Sequence, residues 1–151
     1  MINYQDMCLV DVLPHKAPMI LLDKIIEFRE NLIHVSVTIT QESLFLANDK
    51  VPAYVGLEYM AQAIAAWNGI VSRHSSTFPP RIGFLLGTRN LKLHSPAFSI
   101  GTKLDIFGTC NYTDGEMGSF DCWIDHEGTQ VASATLTVFQ PHSLEDLYVN
   151  Q

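Results

Sequence analysis

Alternation of apolar and polar residues predicts strands towards both ends of the chain and one helix between them. Residues Asn31–Thr40 alternate between apolar and polar side chains, which is the two-residue period of a half-buried strand. The apolar stretch Pro18–Phe28 is predicted as a strand before it, with a turn at Glu30–Asn31. After Pro80, four more strands are predicted between segments rich in Gly, Pro, Asp and Ser, which are typical of hairpin turns. They cover Arg81–Leu93, Lys103–Tyr112, Gly118–Asp125 and Gln130–Gln140.

The segment between the two groups of strands predicts one long helix over Pro52–His74. Pro52 suits a helix start, where its missing N–H costs nothing. The segment is apolar on nearly every side, which is typical of a buried helix. The preceding residues Gln41–Val51 are predicted to be irregular. Strands around one helix indicate an α+β class. We expect a single domain over residues 1–151, in which a mostly antiparallel sheet of about six strands curls around the helix.

Composition excludes several broad classes of protein. The 151 residues are 47% apolar and 17% charged, a composition that argues against disorder. The net charge of −7 argues against a general nucleic-acid binder, which needs a basic surface. The three cysteines have no CxxC spacing, as in a protein with reduced thiols. Without a signal-like start or an apolar run of about 18 residues, we expect a cytoplasmic protein that does not enter the membrane.

Glu58 is the most informative polar residue, because it lies within the most apolar helix of the chain. A buried carboxylate is costly unless it is paired or protonated, and a carboxyl group in such a setting suits general acid–base catalysis. Gln62 lies one helical turn further on and shares its face, so it could hold the carboxyl in place. The alternative interpretation is a glutamate that reaches solvent or favours the helix dipole.

Among the histidines, His15 lies in a stiff segment between Pro14 and Pro18. A histidine beside a lysine in a loop is commonly just exposed, so this position alone does not indicate catalysis. The chain has no HxxxH spacing of the kind that binds zinc, so no metal site is expected. It also lacks the GxSxG, P-loop and GxGxxG motifs.

Two motifs resemble a known family. The segment Leu13–Asp23, LPHKAPMILLD, resembles the opening motif of the β-hydroxyacyl-acyl-carrier-protein dehydratases of fatty-acid synthesis. The segment Pro52–Gln62, PAYVGLEYMAQ, is similar to the PGVLIIEALAQ of that family. The resemblance implies a hotdog fold, a curled sheet around a long helix. Further stretches, including PPRIGFLLGTRNL and LTVFQP, resemble the dehydratase-like proteins of aryl-polyene pigment clusters.

One departure from this family concerns its catalytic histidine, which lies in a GHFP loop ahead of the glutamate. The counterpart here is Phe45–Val51, FLANDKV, which contains no histidine. Glu58 matches the motif glutamate and carries over. His15 matches the LPH motif, in which the histidine is not normally assigned the catalytic role. Our hypothesis is that His15 takes over that role.

The resemblance implies dehydration of 3-hydroxyacyl thioesters to trans-2-enoyl thioesters. His15 would remove the C2 proton, and Glu58, kept protonated by apolar surroundings, would help the hydroxyl leave. Backbone N–H groups at the helix start, from Ala53 to Gly56, would bind the thioester oxygen, with Gly56 allowing close approach. The strand residues 82–86, which include Phe84, would line an acyl tunnel.

The resemblance also implies partners. The substrate would be carried on the phosphopantetheine of an acyl carrier protein, and no further cofactor is expected. An acidic carrier requires a local basic patch on this acidic chain, for which the expected residues are Arg81, Arg89, Lys92 and Lys103. The alternative is that these residues form an ordinary solvated edge. Hotdog proteins pair through sheet edges, so a homodimer or a heterodimer with another hotdog dehydratase is expected.

Three other functions remain open at this point. The missing loop histidine favours a catalytically weak partner subunit of a dehydratase heterocomplex. A hotdog acyl thioesterase would use the helix carboxylate to activate water, and would release a free acid. An acyl-binding module without chemistry would leave Glu58 with no evident purpose.

Overall fold

The computed structural model describes residues 7–74 and 83–141 and contains the predicted sheet and helix. Six strands form the main antiparallel sheet: β1 (Lys24–Arg29), β2 (Leu32–Thr38), β4 (Phe84–Leu93), β6 (Lys103–Thr113), β7 (Met117–His126) and β8 (Thr129–Phe139). Their order across the sheet is β1-β2-β6-β7-β8-β4. Two short strands, β3 (Lys50–Pro52) and β5 (Ala97–Ser99), form a separate ribbon.

The long helix lies almost where the sequence pattern predicts it. Helix α2 covers Gly56–Arg73 and is preceded by a 3-10 turn at Ala53–Val55. A one-turn helix, α1 (Leu9–Val12), packs against α2. The predicted α+β arrangement of a sheet around one long helix is therefore confirmed, and it is the arrangement of the hotdog fold.

Strand alternation places the apolar residues of the sheet against the helix. Ile33, Val35 and Val37 of β2 are buried, as are Ile106 of β6 and Met60 of α2. Each such side chain contributes about 1.5–3 kcal/mol by leaving water. The core between sheet and helix therefore fixes the helix face that remains available for a site.

Two local features differ from the sequence-based prediction. The strand predicted from Pro18 begins only at Lys24, because the backbone at Met19 and Leu21 is hydrogen-bonded to the Gln62 side chain instead of a neighbouring strand. The short elements α1, β3 and β5 were not predicted, since three or four residues carry no periodic signal. Residues 81 and 82 of the third predicted strand lie outside the described residues.

Strand β4 forms one edge of the main sheet. It pairs with β8 on one side, and in the described part of the chain no strand covers its other side. The edge carries a row of exposed apolar side chains: Phe84, Leu85, Leu86, Leu91 and Leu93. An open, apolar edge of this kind is a ready surface for pairing with another chain.

Candidate active site

His15 and Glu58 meet near the N-terminal end of α2. His15 lies in the segment between α1 and β1, and Glu58 lies in the first turn of α2. The His15 Nε2 and Glu58 Oε1 atoms are 3.7 Å apart, and the two side chains are 29% and 41% exposed. Both residues line a cavity of about 170 Å³. The fold thus brings an imidazole and a carboxyl together where a ligand can reach them.

Gln62 links the Glu58 carboxyl to the segment that follows His15. Gln62 is fully buried, and its Nε2 donates hydrogen bonds to Glu58 Oε1 at 3.2 Å and to the Met19 carbonyl oxygen at 2.7 Å. The Leu21 N–H donates to Gln62 Oε1 at 3.0 Å. A buried group that satisfies several partners is rigid, so Gln62 fixes the helix and this segment relative to each other.

The two nitrogens of the His15 ring have different surroundings. Nδ1 is buried and has no hydrogen-bond partner among residues 7–74 and 83–141. Nε2 faces the Glu58 carboxyl. Because proton transfer requires a group within hydrogen-bond reach of the reacting atoms, Nε2 is the nitrogen suited to it.

The remainder of the cavity is mainly apolar and has two walls. One wall is the face of α2 beyond Glu58, where Ala61 and Ala65 are small and leave space. The other wall comes from the start of β4, the end of β6 and its turn to β7, β7 itself, and the end of β8. It comprises Gly83, Leu85, Thr113, Gly115, Glu116, Met117, Gly118, Phe120, Val138 and Gln140. Apolar lining residues beside an imidazole and a carboxyl group could accommodate an acyl chain.

The helix, the His15 segment and both cavity walls fall within a match to a family model. The model is described as ApeP-like, ApeP dehydratase, and it matches residues 7–149. The chain belongs to the ApeP-like dehydratase family. The predicted dehydratase activity is therefore confirmed, and the predicted resemblance to dehydratases is confirmed with it.

Solved structures place this dehydratase in the same fold. It is 31% identical to a chain of the dehydratase heterocomplex ApeI:P from Xenorhabdus doucetiae. The alignment covers 96% of this chain and 98% of that chain, with a TM-score of 0.88. It is 14% identical to an HP0420 homologue from Helicobacter felis, with coverages of 94% and 96% and a TM-score of 0.68.

A third neighbour shares the fold alone. It is a hypothetical thioesterase with coenzyme A from Streptococcus pneumoniae, at 19% identity, coverages of 78% and 86%, and a TM-score of 0.57. A comparison with curated proteins gives no match.

The setting of Glu58 in the dehydratase differs from the prediction. We expected a buried carboxyl, but the side chain is 41% exposed. The helix is not enclosed on all sides, because Ala61 and Ala65 line the cavity instead of filling it. The expected apolar burial of Glu58 is therefore not found in the described part of the chain.

Ala53 and Gly56 do not lie at the cavity of the dehydratase. The Ala53 N–H donates to the Pro96 carbonyl oxygen at 3.0 Å, and the Gly56 N–H donates back into the 3-10 turn. A Cβ on Gly56 would lie 2.9 Å from Ile124 Cδ1, so the absence of a side chain at Gly56 leaves space for the core residue Ile124. The predicted binding of the thioester oxygen is not available to these two N–H groups.

Phe84 also falls outside the cavity lining, whereas its neighbour Leu85 lies within it. Successive residues of a strand point to opposite faces, and the prediction of an acyl tunnel from residues 82–86 did not distinguish the faces. Leu85 is therefore the residue of this strand that could contact an acyl chain.

The predicted basic patch is divided in the structure. Arg89 and Lys92 lie on β4, and their cross-strand partners Thr135 and Ser133 place both on one face. Lys103 lies on β6, which is three strand spacings from β4 across the sheet, a distance of about 14 Å. Arg81 lies outside the described residues. Within the described part of the dehydratase, only Arg89 and Lys92 remain close enough to act together.

The described residues include side chains of the metal-ligating types and a buried thiol. Across residues 7–74 and 83–141, no group of three His, Cys, Asp or Glu side chains is arranged to hold a metal ion. Burial strongly raises the pKa of the Cys122 thiol, which keeps it protonated and unreactive.

No helix within residues 7–74 and 83–141 is long and apolar enough to cross a membrane.

Proposed function

We propose that this dehydratase removes water from 3-hydroxyacyl thioesters on an acyl carrier protein, giving trans-2-enoyl thioesters for aryl-polyene or fatty-acid-like synthesis. The observation that supports this reaction is the His15–Glu58 pair, whose atoms are 3.7 Å apart and which lines a mainly apolar cavity. Dehydration requires a base for the C2 proton and an acid for the C3 hydroxyl, and this pair can supply both.

In the proposed reaction, His15 Nε2 takes the C2 proton, which the thioester makes acidic. The C3–O bond breaks as the Glu58 carboxylic acid gives its proton to the hydroxyl, which leaves as water. Afterwards His15 carries one additional proton and Glu58 has lost one. A proton that passes from Nε2 to the facing Glu58 oxygen restores the starting state, so the cycle balances without a cofactor.

The proposed assembly is a heterocomplex with a second hotdog dehydratase subunit. Two observations support it: the open apolar edge of β4 and the ApeI:P complex in which a 31% identical chain occurs. A partner at this edge would also cover part of the exposed surface. The main alternative, a partner subunit with little activity of its own, fits the same assembly and differs only in whether Glu58 and His15 act.

The decisive experiment measures loss of water by mass spectrometry from a 3-hydroxyacyl carrier protein. The chain is tested alone and with the second subunit, as wild type, Glu58→Gln and His15→Asn. We expect each variant to lose about 10²–10⁴-fold in turnover with an unchanged melting temperature. Glu30→Gln, a substitution at an exposed turn, should leave both properties unchanged. Full activity of the Glu58→Gln complex would identify the chain as a non-catalytic partner.

Carrier docking is proposed at Arg89 and Lys92. Reversal of both charges should raise the Michaelis constant for carrier-bound substrate and spare a small pantetheine thioester, since only the carrier supplies the opposing charge. Lys103→Glu is the matched control, because Lys103 lies on a distant strand. Equal effects on both substrates would contradict docking at these residues.

A further inference from the structure

The lining of the cavity extends along helix α2. The lining residues of this helix begin at Glu58 in its first turn and end at Asn68. They are ten positions apart, and because each helical residue rises 1.5 Å, the lining extends about 15 Å along the helix axis. Groups that line the cavity near Asn68 are therefore too far from Glu58 to contact reacting atoms there, and can contact only another part of a ligand.

The turn between β6 and β7 lies at the far end of this lining, as two contacts between β7 and α2 show. At the start of the helix, a Cβ on Gly56 would lie 2.9 Å from Ile124 Cδ1. Near its other end, the ring centroids of Trp67 and Phe120 are 5.7 Å apart. Residue numbers along β7 therefore fall as those along α2 rise, and the strand begins at Met117, beyond Phe120. The turn that precedes Met117 is consequently remote from the start of the helix.

The carboxylate of Asp114 holds this turn in shape. Asp114 Oδ1 accepts hydrogen bonds from the Met117 N–H at 2.8 Å and the Glu116 N–H at 3.0 Å, and these two donors lower the pKa of Asp114. The Asp114 N–H donates to the Met117 carbonyl oxygen at 3.0 Å. Gly115 has a φ of 94°, the positive value that tight hairpin turns require. The carboxylate therefore stays ionised, the form that accepts hydrogen bonds most strongly.

Asp114 shapes the cavity without lining it. Four neighbouring residues belong to the described lining, but Asp114 does not: Thr113, Gly115, Glu116 and Met117. The Asp114 side chain is exposed on the outside of the turn. It can therefore affect a ligand only through the position of the turn.

We propose that Asp114 is a positioning residue, which fixes the β6–β7 turn against the distal part of a long acyl chain and so gives the dehydratase a preference for such chains. The inference rests on the proposed function, because it takes the ligand of the cavity to be the acyl substrate. A wall that is already in place loses little entropy when the acyl chain binds. One methylene group in an apolar pocket changes kcat/KM by about 10–200-fold. A short acyl chain, which ends near Glu58, gains nothing from the turn.

The test compares two substrates of the protein in complex with the second dehydratase subunit, 3-hydroxybutyryl and 3-hydroxytetradecanoyl carrier protein. Asp114→Ala removes the acceptor oxygen from the turn, whereas Asp114→Asn retains an acceptor oxygen in the side chain. Asp121→Ala is the matched control. Asp121 is also exposed and accepts a hydrogen bond from the Thr135 hydroxyl, but it lies outside the described lining of the cavity.

A second pair of variants moves the turn by a different route. Gly115 and Gly128 have φ of 94° and 78°, and at either position an added Cβ would meet nothing within 4 Å. Both alanine variants therefore carry the same kind of backbone strain and should lose a similar amount in melting temperature. Of the two glycines, Gly115 lines the cavity, whereas Gly128 lies in the turn at the other end of β7.

We expect Asp114→Ala and Gly115→Ala to raise the KM of the long substrate at least about tenfold. Their kcat for both substrates and their KM for the short substrate should stay at wild-type values. Asp114→Asn, Asp121→Ala and Gly128→Ala should retain the wild-type KM for both substrates, which a merely structural loss of stability would not explain.

The outcomes separate this inference from the reaction itself. Equal changes in KM for the two substrates, or a wild-type KM for the long substrate in both Asp114→Ala and Gly115→Ala, would overturn the positioning role and leave the dehydration reaction intact. An equal KM for the two substrates in the wild-type complex would overturn it as well. A wild-type complex that removes water from neither substrate would overturn the proposed function.

Discussion

The two sides of helix α2 differ in what they contact. One side packs against the sheet and α1, and includes Tyr59, Met60 and Gly69. The other side faces the cavity and includes Glu58 and Ala65. Two consecutive residues show the contrast, because Tyr59 is 2% exposed and the Glu58 side chain is 41% exposed.

In the proposed reaction, this difference separates stability from chemistry along a single helix. Successive helix residues are rotated by about 100°, so neighbouring positions can belong to opposite sides. Packing of the closed side supplies the rigidity that the proposed acid–base pair needs. Substitutions on the closed side should therefore change the free energy of unfolding, and substitutions on the cavity side should change turnover.

The strongest test of the closed side is Gly69→Ala. A Cβ at this position would lie 2.8 Å from the Val12 carbonyl carbon and closer still to the carbonyl oxygen. Because backbone atoms of α1 cannot move aside as a side chain can, α1 must separate from α2. We expect the free energy of unfolding to fall by more than about 3 kcal/mol, measured by urea denaturation.

Gly87→Ala is the matched control, since nothing lies within 4 Å of its Cβ position. It should change stability by less than about 0.5 kcal/mol. The new methyl group of Gly56→Ala would crowd only the flexible end of Ile124 and would lie at ordinary contact distance from the Phe98 ring, so its effect on stability should fall between the two. Equal stability of the Gly69 and Gly87 variants would show that α1 does not pack on α2 as described.

Gln62 lies on the boundary between the two sides, so its substitution should affect both properties. Gln62→Leu keeps the volume but leaves the Met19 carbonyl and the Leu21 N–H without their partner. A fully buried unsatisfied group costs about 1–3 kcal/mol. Both hydrogen bonds are only partly buried, so for the two groups together we expect a loss near the lower end, about 2 kcal/mol, in denaturation experiments. Turnover should fall at least about tenfold, because Glu58 and the His15 segment lose their common anchor.

The exposed Gln130 provides the control for this substitution. Gln130→Leu removes the same amide without breaking a buried contact, and should leave stability and turnover unchanged. A Gln62→Leu variant with normal turnover would show that the Glu58 carboxyl does not need Gln62 for its position.

Sequence patterns predicted the large elements well, for a physical reason. Strand Asn31–Thr40 and helix Pro52–His74 are long enough for their periods to be distinct, and the structure has β2 and α2 in those places. The segment from Pro18 to Asp23 was predicted as strand because it is apolar. Its backbone instead forms hydrogen bonds with the Gln62 side chain. The bonded residues are separated by 41 and 43 positions in the sequence, so no local pattern predicts the contact.

The site was predictable where a motif marked it. Glu58, Gln62 and His15 stand in two motifs, and the fold brings all three together. The cavity wall from the β6–β7 turn had no such signal, since the turn residues around Gly115 read only as a hairpin separator. Which turn reaches the helix depends on sheet curvature. The side of α2 that faces a cavity could not be deduced either, because Ala61 and Ala65 suit a core and a cavity wall equally well.

The smallest effect is expected at Tyr59, and it sharpens the comparison with Glu58. Burial, together with the nearby Asp23 carboxylate, raises the pKa of Tyr59 to about 12. Below pH 10 the hydroxyl is neutral in both folded and unfolded chains, so Tyr59→Phe should cost less than about 1 kcal/mol. Between pH 10 and about 12 the unfolded chain loses this proton while the folded chain retains it, so wild-type stability falls as the pH rises. The variant lacks this loss. The free energies of unfolding of the two proteins, measured by denaturation, should therefore converge or cross above pH 10. A constant difference between them would mean that water reaches Tyr59 as it reaches Glu58.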